Sequence, residues 1–133
     1  MKDCFRIGII SKIDYKSGMV AVAYLDRDDA VTDLIPYLQM GGEYHMPKLE
    51  QRVAVMHLST GPEIAVAFGP FWESSTPPPV YGKDVYHKEL SHDTGSAFIH
   101  HDPETGTLTI KASGIKLVTD DGEVDISGLI SGG

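Results

Sequence analysis

Histidine is the residue type in this sequence best suited to bind a metal or move a proton, and six occur: His45, His57, His87, His92, His100 and His101. In an extended strand successive side chains face opposite ways, so two imidazoles one residue apart share a face and two adjacent ones do not. No pair stands at that one-residue spacing. His100 and His101 are adjacent, so at most one of them per chain could join a shared ring of ligands. No metal site is therefore assigned, and His100 and His101 are the residues that come nearest to one. Asp120, Asp121 and Glu123 form an acidic cluster, but Asp-Asp-Gly between apolar runs reads as a hairpin turn rather than as paired general acid and base. Ser59, Ser91 and Ser127 lack the surroundings of a nucleophile elbow, and there is no glycine-rich phosphate loop. Cys4 has no Cys-His arrangement around it and reads as a small buried apolar residue. The sequence predicts no catalytic residue and no cofactor, hence a protein that is not an enzyme.

Chemistry being sparse, the elements themselves carry the reading. At 133 residues the chain holds one domain, or a small domain with an appendage. Units of roughly 70 residues bury only marginally enough to offset chain entropy, so association with other copies is expected. The 11 Lys and Arg stand against 19 Asp and Glu, a formal charge of -8. That balance repels phosphate backbones and argues against nucleic acid as a partner. One cysteine permits no disulfide within the chain, which fits folding in a reducing cytoplasm. No apolar run approaches a membrane span, and MKDCFR lacks the apolar stretch of a signal peptide.

Alternation with period 2 dominates. In RIGIISKID, Ile7, Ile9 and Ile13 are read onto one face; in MVAVAYLD, Val20, Val22 and Tyr24 share a face, with Met19, Ala21, Ala23 and Leu25 opposite. Tyr15 to Gly18 supplies the turn. LIPYLQM, with Pro36, reads as an edge strand or bulge, and Gly41-Gly42 interrupts the chain. QRVAVMHL and EIAVAFGPFW follow, with Val53, Val55 and His57 on one side and Ile64, Val66 and Phe68 aligned in the next, joined by a turn at Ser59 to Pro62. Five short strands in about 70 residues predict a Greek-key barrel of the OB type over residues 1–76. Pro77, Pro78 and Pro79 then make a stiff connector over 77–82.

Residues 83–133 are short alternating runs punctuated by Gly95, Gly106, Gly114, Gly122 and Gly128. Leu108 with Ile110, Ile115 with Leu117, and Val124 with Ile126 each place two apolar residues on one strand face, with Thr, Lys or Asp opposite. One copy could bury almost none of this. Three copies wound about a common axis would turn these faces into a shared interior and leave few free edges. The expected fold is all-β: a five-stranded barrel followed by a short intertwined triple-stranded β-helix, as a homotrimer whose core is Leu108, Ile110, Ile115, Leu117, Val124 and Ile126.

MPKLEQRVAVMHLSTGPEIAVAFGPFW, Met46 to Trp72, resembles the strand-turn-strand signature of phage baseplate assembly protein V and related spike proteins. HDTGSAFIHHDPETGTLTIKASGIKLV followed by GEVDISG is similar to that family's transition from barrel into β-helix, above all in the turn with Asp102, Pro103 and Gly106 before Thr107 to Ile110. The resemblance implies a homotrimeric central spike on the baseplate of a phage, bacteriocin-like particle or type VI secretion system. Its barrels would mount on a hub protein, with the loops Asp26 to Asp33 and Gly41 to Tyr44 as expected contacts. Its needle would pierce the target envelope when the sheath contracts, a mechanical role in which no bond is made or broken.

Many members of that family close the needle with two histidines at His-x-His spacing that bind iron. This sequence lacks the pair, so the expected spike is metal-free. Ser127 to Gly133 are small and turn-prone, unsuited to packing a point. Strand ends at Ile126, Leu129 and Ile130 are therefore expected to meet a separate conical tip of the proline-alanine-alanine-arginine repeat class. Two alternatives remain open from the residues: an OB-type nucleic-acid binder stacking bases on Tyr15, Tyr24, Tyr37 and Tyr44, and a trimeric receptor-binding tail-fibre fragment.

Overall fold

A computed structural model describes residues 4–25, 30–58 and 64–129. The chain divides into two compact units, Met1–Thr76 and Pro77–Gly133. All the regular structure described is β, apart from one turn of 3₁₀ helix near the carboxyl end.

The first unit holds β1 (Phe5–Asp14), β2 (Met19–Ala23), β3 (Ile35–Pro36), β4 (Arg52–His57) and β5 (Ala65–Phe68). They form one sheet in the order β3-β2-β1-β4-β5, every neighbouring pair antiparallel. A parallel bridge from Tyr37 to Ala67 and the amide of Leu38 on the Ala67 carbonyl at 2.8 Å bring β3 against β5. The sheet is thereby curled into a nearly closed barrel with the circular order β1-β2-β3-β5-β4. Pro36 has no N–H to give a ladder, and β3 is accordingly only two residues long.

The β1–β2 turn is built by Asp14. Its carboxylate accepts from the amide of Lys16 at 3.2 Å and the hydroxyl of Ser17 at 2.8 Å, its carbonyl from the amide of Gly18 at 2.9 Å. Gly18 closes the turn at φ 72°, where a Cβ would be strained.

The core is Ile10, Val20, Val22, Tyr24, Ile35, Met46, Val53, Val55, Ala65 and Ala67. Val20, Val22 and Tyr24 share the inward face as the alternation predicts, but two expected faces are corrected. The register slips between Ile10 and Lys12, and a bulge of this kind resets the side-chain phase. Ile10 and Ile13 therefore pack on the core, while Ile7 is exposed and Ile9 half-buried on the other side. In β5 the inward residues are Ala65 and Ala67, with Ile64, Val66 and Phe68 on the outer phase. Ala67 lies directly across from Val55, and with valines already filling the interior only small side chains fit there.

Tyr24 spans the barrel end. Its hydroxyl lies 2.8 Å from Nε2 of His57, and the Arg6 guanidinium sits 3.7 Å from its ring centroid. Tyr24→Phe keeps the ring and the cation contact but leaves the imidazole nitrogen without this partner. Its expected cost is about 1 kcal/mol, read as a lower denaturant midpoint with unchanged slope. Cys4, expected to be buried, is exposed. It lies beyond Arg6, which already covers the end of the core, and contributes only its carbonyl, accepting from the His57 amide at 2.7 Å.

The second unit contains β6 (Tyr86–Glu89), β7 (Phe98–Asp102) and β8 (Thr107–Lys111) in one antiparallel sheet, and β9 (Lys116–Thr119) and β10 (Gly122–Asp125) as a hairpin. The β7–β8 turn repeats the first one: Asp102 accepts from the amides of Glu104 (side chain, 2.9 Å) and Gly106 (carbonyl, 2.8 Å), and Gly106 has φ 71°. Asp14-x-x-Ser-Gly and Asp102-x-x-Thr-Gly are thus the same four-residue loop used twice. Asp120 and Asp121 form the two-residue loop between Thr119 and Gly122, which are paired. The turn expected at Ser59 to Pro62 lies outside the described residues. No helix among those described is long and apolar enough to cross a membrane.

Candidate functional site

The β6-β7-β8 sheet has two unlike faces. Register places Tyr86, His101 and Leu108 in one cross-strand row, and Lys88, Ile99 and Ile110 in the next, all on one face. The opposite face carries His87, His100 and Thr109 in one row and Glu89, Phe98 and Lys111 in another.

That second face is tied together by hydrogen bonds. Nδ1 of His87 and Nδ1 of His100 are 2.9 Å apart, and Nε2 of His87 is 2.5 Å from a Glu89 carboxylate oxygen. The other Glu89 oxygen accepts from the amide of Gly95 at 2.7 Å, and the Lys111 ammonium donates to the Gly95 carbonyl at 2.7 Å. One tautomer satisfies all of it with neutral rings: His100 donates from Nδ1 to His87, which donates from Nε2 to Glu89. The ring of Phe98 lies 5.1 Å from that of His87 and covers it. This chain staples β6 to β7 and holds the loop between them. Spacing could have flagged it, since His87-x-Glu89 is a period-2 pair, but the third member depends on strand register.

The Gly95 amide, then the His87 bond, hold the Glu89 carboxyl below its usual range, against a smaller opposing effect of burial. A carboxylate held low in the folded state contributes stability that is full above its ordinary value near 4.5 and is lost as pH falls through the lower folded value. Glu89→Gln is therefore expected to flatten the decline in stability below pH 4.5. Denaturant midpoints of both proteins between pH 6 and pH 3 check this; parallel curves would refute it.

The first face is apolar and open. Leu108 is 59% exposed and Ile110 52%. In the neighbouring hairpin Leu117 pairs directly with Val124, and these are 60% and 54% exposed. Ile115 and Ile126 are half-buried. The expectation that Ile126 continues the strand is corrected: β10 ends at Asp125 and Ile126 opens the 3₁₀ turn Ile126–Leu129. The cause is local bonding, with the Asp125 carboxylate accepting from the Ser127 amide at 3.0 Å and the Ser127 hydroxyl accepting from the Ile115 amide at 3.0 Å. Of the tip residues, the Leu129 side chain and Ile130 lie outside what is described.

His100 and His101 point to opposite faces, His100 into the bonded chain and His101 onto the apolar face. No group of three His, Cys, Asp or Glu side chains within one chain could hold a metal among the described residues. Of the loops expected to meet a hub, residues 26–29 lie outside the description; Gly41 to Tyr44 is exposed, with Tyr44 donating to the Tyr15 carbonyl at 2.8 Å. A surface the sequence reading missed is the outer side of the barrel, where Phe5 and Phe68 meet edge to face at 6.5 Å beside Ile7. Of the four tyrosines proposed to stack bases, Tyr24 is buried and Tyr37 packs against the core. No protein-family model matches the chain, and no curated protein matches it.

Proposed function

We propose that this chain is the homotrimeric central spike of a contractile injection machine, a phage tail, tailocin or related secretion system. An OB-type barrel mounts it on the baseplate hub, and a short intertwined triple-stranded β-helix caps the tube and pierces the target envelope. The role is mechanical, with no bond made or broken. The observation that carries the reading is the open apolar face of the second unit. Leu108, Ile110, Leu117 and Val124 all stand more than half exposed in a single chain, and each would contribute about 1.5 to 3 kcal/mol if fully buried. Winding three chains about one axis covers them and pairs the free strand edges together. The circular strand order of the barrel, with its parallel β3–β5 closure, supports the OB assignment. The net charge of -8 favours a protein partner over nucleic acid.

Native mass tests the proposal. Three chains of 14.5 kDa each in one heat-resistant particle are expected, tapered under the electron microscope and co-assembling with a hub protein. A monomer would overturn the reading, and a trimer that broadens into a terminal lobe would favour a receptor-binding fibre.

A further inference from the structure

We infer that His101 supplies one imidazole of a three-histidine site on the trimer axis, completed only by the other two copies, and that this site takes a divalent transition metal such as zinc. The inference rests on the trimeric reading proposed above and adds a ligand to it.

Of the two adjacent histidines, only His101 stands on the apolar face that the trimer would cover. His100 shares its Nδ1 with His87, on the face that also carries Thr107, Thr109 and Lys111. His101 lies on the opposite face, between Tyr86 and Leu108 and one row from Ile99 and Ile110. Its ring makes no hydrogen bond or ion pair with another described residue, and it is already half-buried in one chain.

Covering this face therefore creates a deficit. Leu108 and Ile110 gain by leaving water, but the two ring nitrogens of His101 lose it and find no partner in their own chain. Buried polar atoms without partners are costly and rare. A residue on a threefold axis meets its own two copies, so for His101 placed there the partner comes from the other two imidazoles or from something all three share.

Three neutral imidazoles meeting on an axis offer three nitrogen ligands with a fourth position open to water, the arrangement zinc accepts in tetrahedral coordination. The donor set is free of carboxylate, which disfavours magnesium and calcium and suits zinc, copper or nickel. Tyr86 sits across the ladder from His101, placed to accept the remaining ring N–H of a coordinated imidazole. Lys88 is the one cation on this face; its long stem lets the ammonium reach outward from the next row.

Native mass and bound metal are measured on one sample of the full chain, incubated with zinc or cobalt and then dialysed. A trimer retaining about one zinc per three chains is expected, with a visible ligand-field band for cobalt and an X-ray absorption spectrum fitted by nitrogens at ~2.0 to 2.1 Å. His101→Gln should lose metal and band while remaining trimeric; His100→Gln should keep both. The absorption spectrum of the unaltered protein stands even where a variant assembles badly. A trimer that holds no metal, or a His101→Gln trimer that holds as much, overturns the ring and leaves the spike reading intact. A monomer overturns both.

Discussion

Leu108→Asp and Ile110→Asp are each expected to convert the trimer into monomers without unfolding the barrel. In an isolated chain both positions are more than half exposed, and an exposed substitution away from any special feature shifts stability by no more than about 0.5 kcal/mol. In the proposed trimer each substitution places three carboxylates around one axis in an apolar layer. Burying a charge costs several kcal/mol per ion after relaxation, like charges repel across the axis, and the burial of three leucines or isoleucines is forfeited as well. Against these terms no solvent-exposed alternative compensates except dissociation. Thr109→Asp is the control, since Thr109 stands between the other two in sequence but on the opposite face, across from His100. It is expected to leave the native mass unchanged. Light scattering and near-ultraviolet dichroism distinguish the outcomes. Aspartate at 108 and 110 with no change of mass, whatever that mass is, would refute the assignment of this face to an intersubunit core.

How far the sequence anticipates these features depends on whether they are set locally. Both Asp-x-x-(Ser/Thr)-Gly turns are legible, because the aspartate's own backbone partners and the left-handed glycine lie within five residues. The inward face of β2 is legible for the same reason: strict alternation through Val20, Val22 and Tyr24. Phase failed in β1 because one bulge, placed between Ile10 and Lys12 by pairing with β2, reverses the side-chain direction for everything on one side of it. In β5 the bulky residues drew the expected face, whereas the volume left by Val53 and Val55 decided for Ala65 and Ala67. The Glu89, His87 and His100 chain was illegible beyond its first two members. Its third depends on an eight-residue connection, 90–97, returning β7 in one particular register, and a shift of one residue would have brought His101 to His87 instead.

Gly8 is where the barrel's close packing is most exposed to test, and Gly8→Ala is expected to destabilise it by at least ~1 to 3 kcal/mol. Gly8 lies in the middle of β1, paired with Val53 on one side. A Cβ there would stand 2.5 Å from a Val22 methyl, 2.7 Å from the Ala23 carbonyl oxygen and 3.0 Å from the Tyr24 ring. Two opposed effects compete. Alanine restricts the unfolded chain and by that route alone would stabilise by about 0.4 to 1 kcal/mol. The clash prevails because one of its members is backbone: the Val22 methyl and the Tyr24 ring can rotate, but the Ala23 carbonyl belongs to the strand next to β1 and moves only with the sheet. Tyr24 cannot yield far either, held by Arg6 over its ring and by His57 at its hydroxyl. The missing side chain of Gly8 is thus the space into which Val22, the Ala23 carbonyl and the Tyr24 ring pack. For a domain of this size the loss corresponds to a fall in Tm on the order of 10 °C. Val22→Ala in the same background removes the methyl but not the carbonyl, so the double variant should lose less than the sum of the two single losses yet remain well below the unaltered protein. A Gly8→Ala barrel as stable as the original would show that β1 and β2 are not packed as closely as the 2.7 Å approach to the Ala23 carbonyl requires.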